Sequence, residues 1–389
     1  MPDVTLVCDF GSSLARGIYT LDSTQGKPEL IHLGPEVVYV PESAIEKYAE
    51  NVIATAIPER SAWVRYKDAY YVLGHLARTS YGGIHCLESL KIDSAIQTTL
   101  GIVGAIAEKK KLPDSFEISL GVLFPWTEYI DRERYRPIME DALSSFSFRG
   151  RDLHVKLTVL KSLPEGAGLF ARGRIPHRAG EKLRSPKDVN VAVVIIGYRN
   201  VSLLYIDHGE LKWGETRDYG CRYFIENIQA HTSGQTAYDL VRVVCAAPKV
   251  SEKALSSLVR TRVPELKEGE RQTIARAIES AKVEYLATLT NWLRQKLPHG
   301  LDEIIISGGT ARFLRPELSK FFRDLPDRSF INWCDHIEHR VARTFGEVVE
   351  RESLRSRLAD PYGAFYWLTD RPLPRRDEGK EDAHERQAS

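Results

Sequence analysis

The sequence predicts an α/β protein built as two similar lobes. A strand-turn-strand-turn-strand unit opens the chain near residue 5, and the same unit returns near residue 191, which reads as an internal duplication. Between and after these units, helical periodicity alternates with short apolar runs, the mixture expected of packed α/β layers. Late in the chain the run Ile304-Ile305-Ile306-Ser307 passes directly into Gly308-Gly309 and a helical pattern. A turn of that kind lets a neighbouring group approach the backbone closely.

In chain order, residues 4–8 read as a strand, 9–13 as a polar turn and 14–21 as a second strand. Residues 22–28 form a turn by composition, and 30–33 and 37–40 are further extended segments. This meander separates the chain from folds whose first glycine turn opens a helix. Ile96, Leu100, Val103 and Ile106 recur at helical spacing and predict a helix over 94–111. It feeds a buried strand over 117–124 that Pro125 closes. A helix over 134–146 and a strand over 154–160 follow. The small residues of Pro164-Glu165-Gly166-Ala167-Gly168 then suit a helix packed closely on a neighbour. Residues 172–188 carry Arg172, Arg174, Arg178, Lys182, Arg184 and Lys187 against only Glu181 and Asp188, and read as an exposed linker loop.

The opening pattern returns as strands over 191–196, 201–206 and 210–213, with turns at 197–200 and 207–209. A helix is expected over 221–230, and residues 237–297 read as mostly helical, with a long amphipathic stretch from Ile274 to Leu293. The strand over 303–307 leads into a helix that includes Leu318 and Phe322. A last helix over 345–358 precedes Asp360-Pro361-Tyr362-Gly363-Ala364. The first lobe is thus expected over 1–170, with a small subdomain near 33–75 and a closing C-terminal helix at 359–370. The second lobe is expected over 189–358, with a helical subdomain near 231–299. The loop 171–188 joins them, and the charged, Pro-containing residues 371–389 are expected to be disordered.

A length of 389 residues suggests two or three domains at roughly 150 residues each. Net charge is +1, which gives no whole-chain attraction to nucleic acid or acidic membranes. Direct DNA contact is not expected. Cys8, Cys86, Cys221, Cys245 and Cys334 show no metal-binding spacing, and their odd number fits a reducing compartment. Asp3 and Asp9 interrupt the place where a signal peptide would need an apolar run. No apolar stretch is long enough to cross a bilayer. The expectation is a cytoplasmic protein with no membrane partner.

Three pieces carry chemistry. In Asp9-Phe10-Gly11-Ser12-Ser13 a tight turn can aim backbone N–H groups at phosphate oxygens. Asp9, ending a buried strand, can hold the water shell of Mg²⁺, which needs one or two carboxylates besides the phosphates. Arg16 adds positive charge. The Gly308-Gly309-Thr310 turn removes the Cβ atoms that would block a flat ligand and presents a helix start to anions. Glu165 can orient a water for attack on a terminal phosphate. Each piece has a plainer reading: a polar hairpin, a glycine needing positive φ, an exposed glutamate.

Their order and spacing resemble the actin-like superfamily, most closely the ParM-type plasmid-segregation actins and their archaeal relatives. The resemblance covers roughly residues 3–368, although each motif is short. It implies the duplicated, ribonuclease H-like two-lobe fold with a nucleotide cleft between the lobes. Asp9 to Ser13 look like the first phosphate loop. Gly197-Tyr198-Arg199-Asn200 stands where the second belongs, with Gly197, Arg199 and Asn200 as its binding residues. Ser307-Gly308-Gly309-Thr310-Ala311-Arg312 is similar to the adenosine motif, and Arg312 matches a position that lies against adenine in the chaperone branch. Gly121 to Pro125 and Asp360 to Ala364 fall where the superfamily connects its lobes.

The resemblance implies ATP and Mg²⁺ as ligands, slow hydrolysis through Glu165, self-association into filaments, and a DNA-binding adaptor as partner. One departure matters. The second phosphate loop normally has an aspartate two residues before its glycine, and here that residue is Ile195. Tyr198, Arg199 and Asn200 also replace small residues. A non-polymerising, nucleotide-gated binding module is therefore the alternative. A sugar-kinase-like activity would need a general-base aspartate, for which the sequence offers no candidate.

Overall fold

The computed structural model of the chain describes residues 2–22, 26–51, 56–83, 91–178, 180–245, 250–351 and 353–373. The expected disordered tail lies outside the described residues from position 374 onward, as does Cys86.

The first sheet opens with β1 (Val4–Gly11), β2 (Leu14–Thr20) and β3 (Glu29–Leu33), an antiparallel meander. Three short strands follow, β4 (Val37–Val40), β5 (Trp63–Tyr66) and β6 (Ala69–Leu73). Then come β7 (Ser115–Phe124), β8 (Phe146–Phe148) and β9 (Arg151–Pro164). The strand order is β3-β2-β1-β7-β9-β8-β5-β6-β4. The second sheet contains β10 (Asn190–Ile196), β11 (Val201–Asp207), β12 (Glu210–Arg217), β13 (Glu303–Ser307) and β14 (Phe330–Asn332). Its order is β12-β11-β10-β13-β14.

The duplication is explicit in these orders. In each sheet a central strand, β1 or β10, pairs antiparallel with the hairpin that follows it. On its other side it pairs parallel with a strand reached through helices, β7 or β13. A further parallel strand, β9 or β14, extends each sheet. β10 and β13 read as unbroken apolar runs because they are buried on both faces. β9 alternates because solvent meets one of its faces.

Each sheet has its own core. The helix Lys91–Lys110 covers the first, through Leu100, Val103 and Ile106. The helices Cys221–Ala230, Ala237–Val244 and Pro264–Lys296 cover the second. A third core lies between the sheets, where Val7, Ile18 and Leu123 meet Val193, Leu204 and Ile305. Two helices, Ala167–Arg172 and Arg355–Leu368, pack within it. They cross backbone to backbone: a Cβ on Gly168 would lie 2.1 Å from the Asp360 carbonyl oxygen, and one on Gly363 would lie 2.3 Å from that of Gly168. Only glycine fits at either position.

Several expectations need correction. The first polar turn is shorter than 9–13, because β1 continues through Gly11 and only Ser12 and Ser13 turn. The helix expected over 345–358 is broken into two pieces, Glu347–Arg351 and the start of Arg355–Leu368. Helix Asp335–Phe345 ends at Gly346 (φ 64°), Ser353 adopts φ 53°, and a new helix runs from Arg355 to Leu368. Asp360 to Ala364 lie inside that helix, with Pro361 in its interior. Pro361 has no N–H to offer the Arg357 carbonyl one turn earlier. The Arg16 guanidinium donates to that oxygen instead, at 2.8 Å.

The basic loop is less exposed than its composition suggests. Arg174 is buried and pairs with the buried Glu303 at 3.0 Å, and Asn332 donates to the other Glu303 oxygen at 2.9 Å. Arg184 pairs with Asp302 at 2.7 Å. Loop charge is thus spent on anchoring to the second sheet. Among the described residues no helix is long and apolar enough to cross a membrane.

Candidate functional site

A cleft of about 350 Å³ opens between the two sheets. Asp9, Gly11, Ser12, Ser13 and Arg16 line it from the first hairpin. Gly197, Arg199 and Asn200 line it from the second, and Gly308, Gly309, Thr310 and Arg312 from the glycine-pair turn. Glu165 stands between them. Every residue selected from the sequence therefore faces one cavity.

The two hairpins are related by the duplication. Asp9 precedes Gly11 by two residues on β1, and Ile195 precedes Gly197 by two on β10. Asp9 is registered opposite Arg16 on β2, whereas Ile195 is opposite Ser202 on β11. Asp9 and Arg16 form a largely buried ion pair at 2.7 Å. The charge that Asp9 would offer a metal is thus shared with a guanidinium. On the other side, Ile195 presents no carboxylate, but its neighbour Ser202 donates to Glu165 at 3.1 Å. Ser202 also exchanges a hydrogen bond with Thr216 at 3.1 Å. The Glu165 carboxylate therefore reaches across to β11, at the residue paired with Ile195.

The second turn is held from outside the hairpin. Gly197 N–H donates to the Asn200 carbonyl at 2.9 Å. The start of helix Cys221–Ala230 then grips the turn: Gly220 N–H donates to Arg199 O, Cys221 N–H to Gly197 O and Arg222 N–H to Tyr198 O, at 2.7–3.1 Å. Thr310 Oγ1 donates to Gly197 O as well, at 2.8 Å. Tyr198 packs against the second core and also lines the cleft. The Asn200 side-chain oxygen is buried without a hydrogen-bond partner among the described residues, and Arg199 lies 3.8 Å from Asp218.

At the third turn Gly308 has φ 106°, and a Cβ there would lie 2.3 Å from the Ile196 carbonyl oxygen. The helix it opens, Gly309–Phe313, is shorter than expected, because Pro316 starts another at Arg315–Arg323. Five residues carry little dipole, so the turn acts through open backbone. Arg312 pairs with Glu338, whose carboxyl is pushed up by burial.

Sequence reasoning missed the contributions of the C-terminal helix. Asp360 is buried and lines the cleft. Its oxygens accept from Gly166 N–H at 2.6 Å and Leu169 N–H at 3.2 Å. Burial, then the nearby Asp9 and Glu165 charges, push its carboxyl up to about 7, although those two hydrogen bonds pull the other way. Arg357 also lines the cleft. Burial and neighbouring Arg16 pull its pKa down, and no carboxylate pairs with it among the described residues. The only sequence signal for both was their place beside Pro361-Tyr362-Gly363. Among the described residues no cluster of His, Cys, Asp and Glu could hold a metal by itself.

No protein-family model matches the sequence, and a search of curated proteins found no match. Solved structures do resemble it. The actin-like protein Alp7A superposes with a TM-score of 0.58 at 13% identity, covering 99% of each chain. Bacillus thuringiensis ParM with AMPPNP gives 0.55 at 12% identity, over 95% of this chain and 100% of that one. An Alp12 filament structure gives 0.52 at 13% identity, over 95% and 99%. The duplicated sheet order and these likenesses together identify the fold of this chain as actin-like, of the ParM type.

Proposed function

We propose that the chain binds ATP with Mg²⁺ between its lobes and hydrolyses it slowly. The observation that carries this is convergence: two duplicated hairpin turns and a glycine-pair turn, far apart in sequence, line one cleft. That a structural neighbour was solved with AMPPNP supports the same reading.

The residues fit a polyphosphate. Arg199 and Arg357 bring cationic groups to the cleft, and Gly11, Gly197 and Gly308 line it without side chains that would block a phosphate. Arg357, held in a desolvated site beside another cation, gains most from an anion. The donor set also fits a magnesium ion that arrives with its phosphates. Asp9 and Glu165 line the same cleft, and their charges add to the burial that raises Asp360. Asp9, assisted by Glu165, would hold the ion through its waters, and the ion would neutralise phosphate charge. Glu165, fixed by Ser202, orients the attacking water. Ile195 keeps a second carboxylate away, which favours slow turnover.

Nucleotide-dependent self-association is the second part of the proposal, supported by the likeness to a filament-forming neighbour. An adaptor that couples such filaments to DNA is the partner this reading expects. The specific observation favouring a non-polymerising, nucleotide-gated module is Ile195. Sedimentation at high protein concentration, with Mg-ATP, Mg-ADP and no nucleotide, decides between them. The filament reading expects pelleting with ATP that reverses as phosphate is released. Tight ATP binding without pelleting or phosphate release supports the module.

A further inference from the structure

Two thiols sit in the wall of the cleft and touch. Cys221 Sγ and Cys245 Sγ are 3.3 Å apart, both as free thiols, and both line the cavity. Cys221 is the first residue of helix Cys221–Ala230, and Cys245 caps the C-terminus of helix Ala237–Val244. Cys221 is buried, while Cys245 is partly exposed. Cys245 is therefore the sulfur that a small reagent entering the cleft meets first. Arg357 lines the same cleft.

We infer that Cys221 and Cys245 form an oxidisable pair whose disulfide weakens nucleotide binding, an inference whose second half rests on the nucleotide reading above. The oxidant is a hydroperoxide, small enough to enter the cleft. Cys245 sulfur attacks the peroxide, the O–O bond breaks, and an alcohol or water leaves, so that Cys245 becomes a sulfenic acid. Cys221 sulfur then attacks Cys245 sulfur, displacing hydroxide, which takes the Cys221 proton and leaves as water. Two thiols lose two electrons and two protons, and the peroxide is reduced to alcohol and water.

The route to the nucleotide site is short. Forming the bond contracts the sulfur separation from 3.3 Å to about 2 Å. The Cys221 backbone cannot move alone, because Gly197 O accepts its N–H at 3.1 Å while Gly220 and Arg222 bond the same turn. Thr310 is tied to that same Gly197 oxygen. Closing the thiol pair therefore pulls on the second phosphate turn and on the glycine-pair turn together. Cys8 and Cys334 are buried away from this wall and are not in contact with the pair.

The test treats the whole chain with stoichiometric hydrogen peroxide and maps its peptides without reduction. Binding of a fluorescent ATP analogue is measured before oxidation, after it, and after dithiothreitol. The expected result is a Cys221–Cys245 cross-linked peptide and an affinity that falls about tenfold or more and recovers on reduction. Cys245→Ser must abolish the cross-link and the loss. By linkage, saturating Mg-ATP must lower the oxidised fraction in a fixed glutathione buffer. Failure to find the cross-link, or Cys245 recovered only as sulfinic acid, overturns the pair. A cross-link that leaves affinity unchanged overturns its effect on the cleft. Reduced protein that binds no nucleotide sinks the functional reading and that effect together, while the peptide map still decides the thiol pair.

Discussion

Ser202 Oγ donates to a Glu165 carboxylate oxygen at 3.1 Å, joining the end of β9 in the first sheet to β11 in the second. The bond fixes a carboxylate at the cleft, beside Ile195, where the actin-like resemblance would place an aspartate. Glu165→Gln should keep nucleotide affinity within about threefold and lower single-turnover phosphate release by about 100-fold. Ser202→Ala, which only loosens Glu165, should lower it by about tenfold. Equal phosphate release by Glu165→Gln and wild type would remove Glu165 from the chemistry.

The Asp9–Arg16 pair is largely buried, and removing one partner strands the other. Asp9→Ala should cost about 3 kcal/mol of stability in denaturant unfolding. Combining it with Arg16→Met should recover part of that loss, so the two changes must couple by at least about 1 kcal/mol. Additive effects would show that the ion pair contributes nothing to folding.

Asp360 sets a pH dependence. Its folded-state value of about 7 lies above its ordinary 3.8, so between these values the folded chain holds a proton that the unfolded chain has released. The stabilisation is complete below the lower value and is lost as pH rises through the upper one. From pH 4 to pH 8 wild type should lose on the order of 3 kcal/mol more than Asp360→Asn. Parallel stability profiles for the two proteins would contradict this.

The crossing of helices at Gly168 and Gly363 reverses the usual sign of a glycine-to-alanine change. Helix propensity alone favours alanine by about 1 kcal/mol. Here the added carbon would meet carbonyl oxygens at 2.1–2.3 Å, and each substitution should cost about 3 kcal/mol. Thermal unfolding of Gly168→Ala and Gly363→Ala checks it; an unchanged or raised midpoint would show that the helices can separate freely.

Much of this was legible in the sequence because the duplicated hairpins are local. Strand β10 and its return β11 announce themselves by apolar runs around Gly197, and the glycine pair stands where β13 must turn. The C-terminal helix expected over 359–370 begins earlier, at Arg355, and what holds that start in place is tertiary. Pro361 looks like a helix breaker until Arg16, far away in sequence, satisfies the carbonyl it leaves open. Nothing local marks Asp360 as buried, because its hydrogen-bond partners, Gly166 and Leu169, lie far away in sequence. The basic loop likewise gave no hint that Glu303, inside an apolar strand, was the partner of Arg174.

The most direct test compares Mg-ATP with adenosine by titration calorimetry, on wild type and Arg357→Ala. A cleft that grips a polyphosphate predicts one saturable site, with ATP bound at least about 100-fold more tightly than adenosine. It also predicts that Arg357→Ala loses at least about tenfold in ATP affinity while its adenosine affinity barely changes. No saturable heat at millimolar Mg-ATP, or equal affinities for ATP and adenosine, would contradict the account.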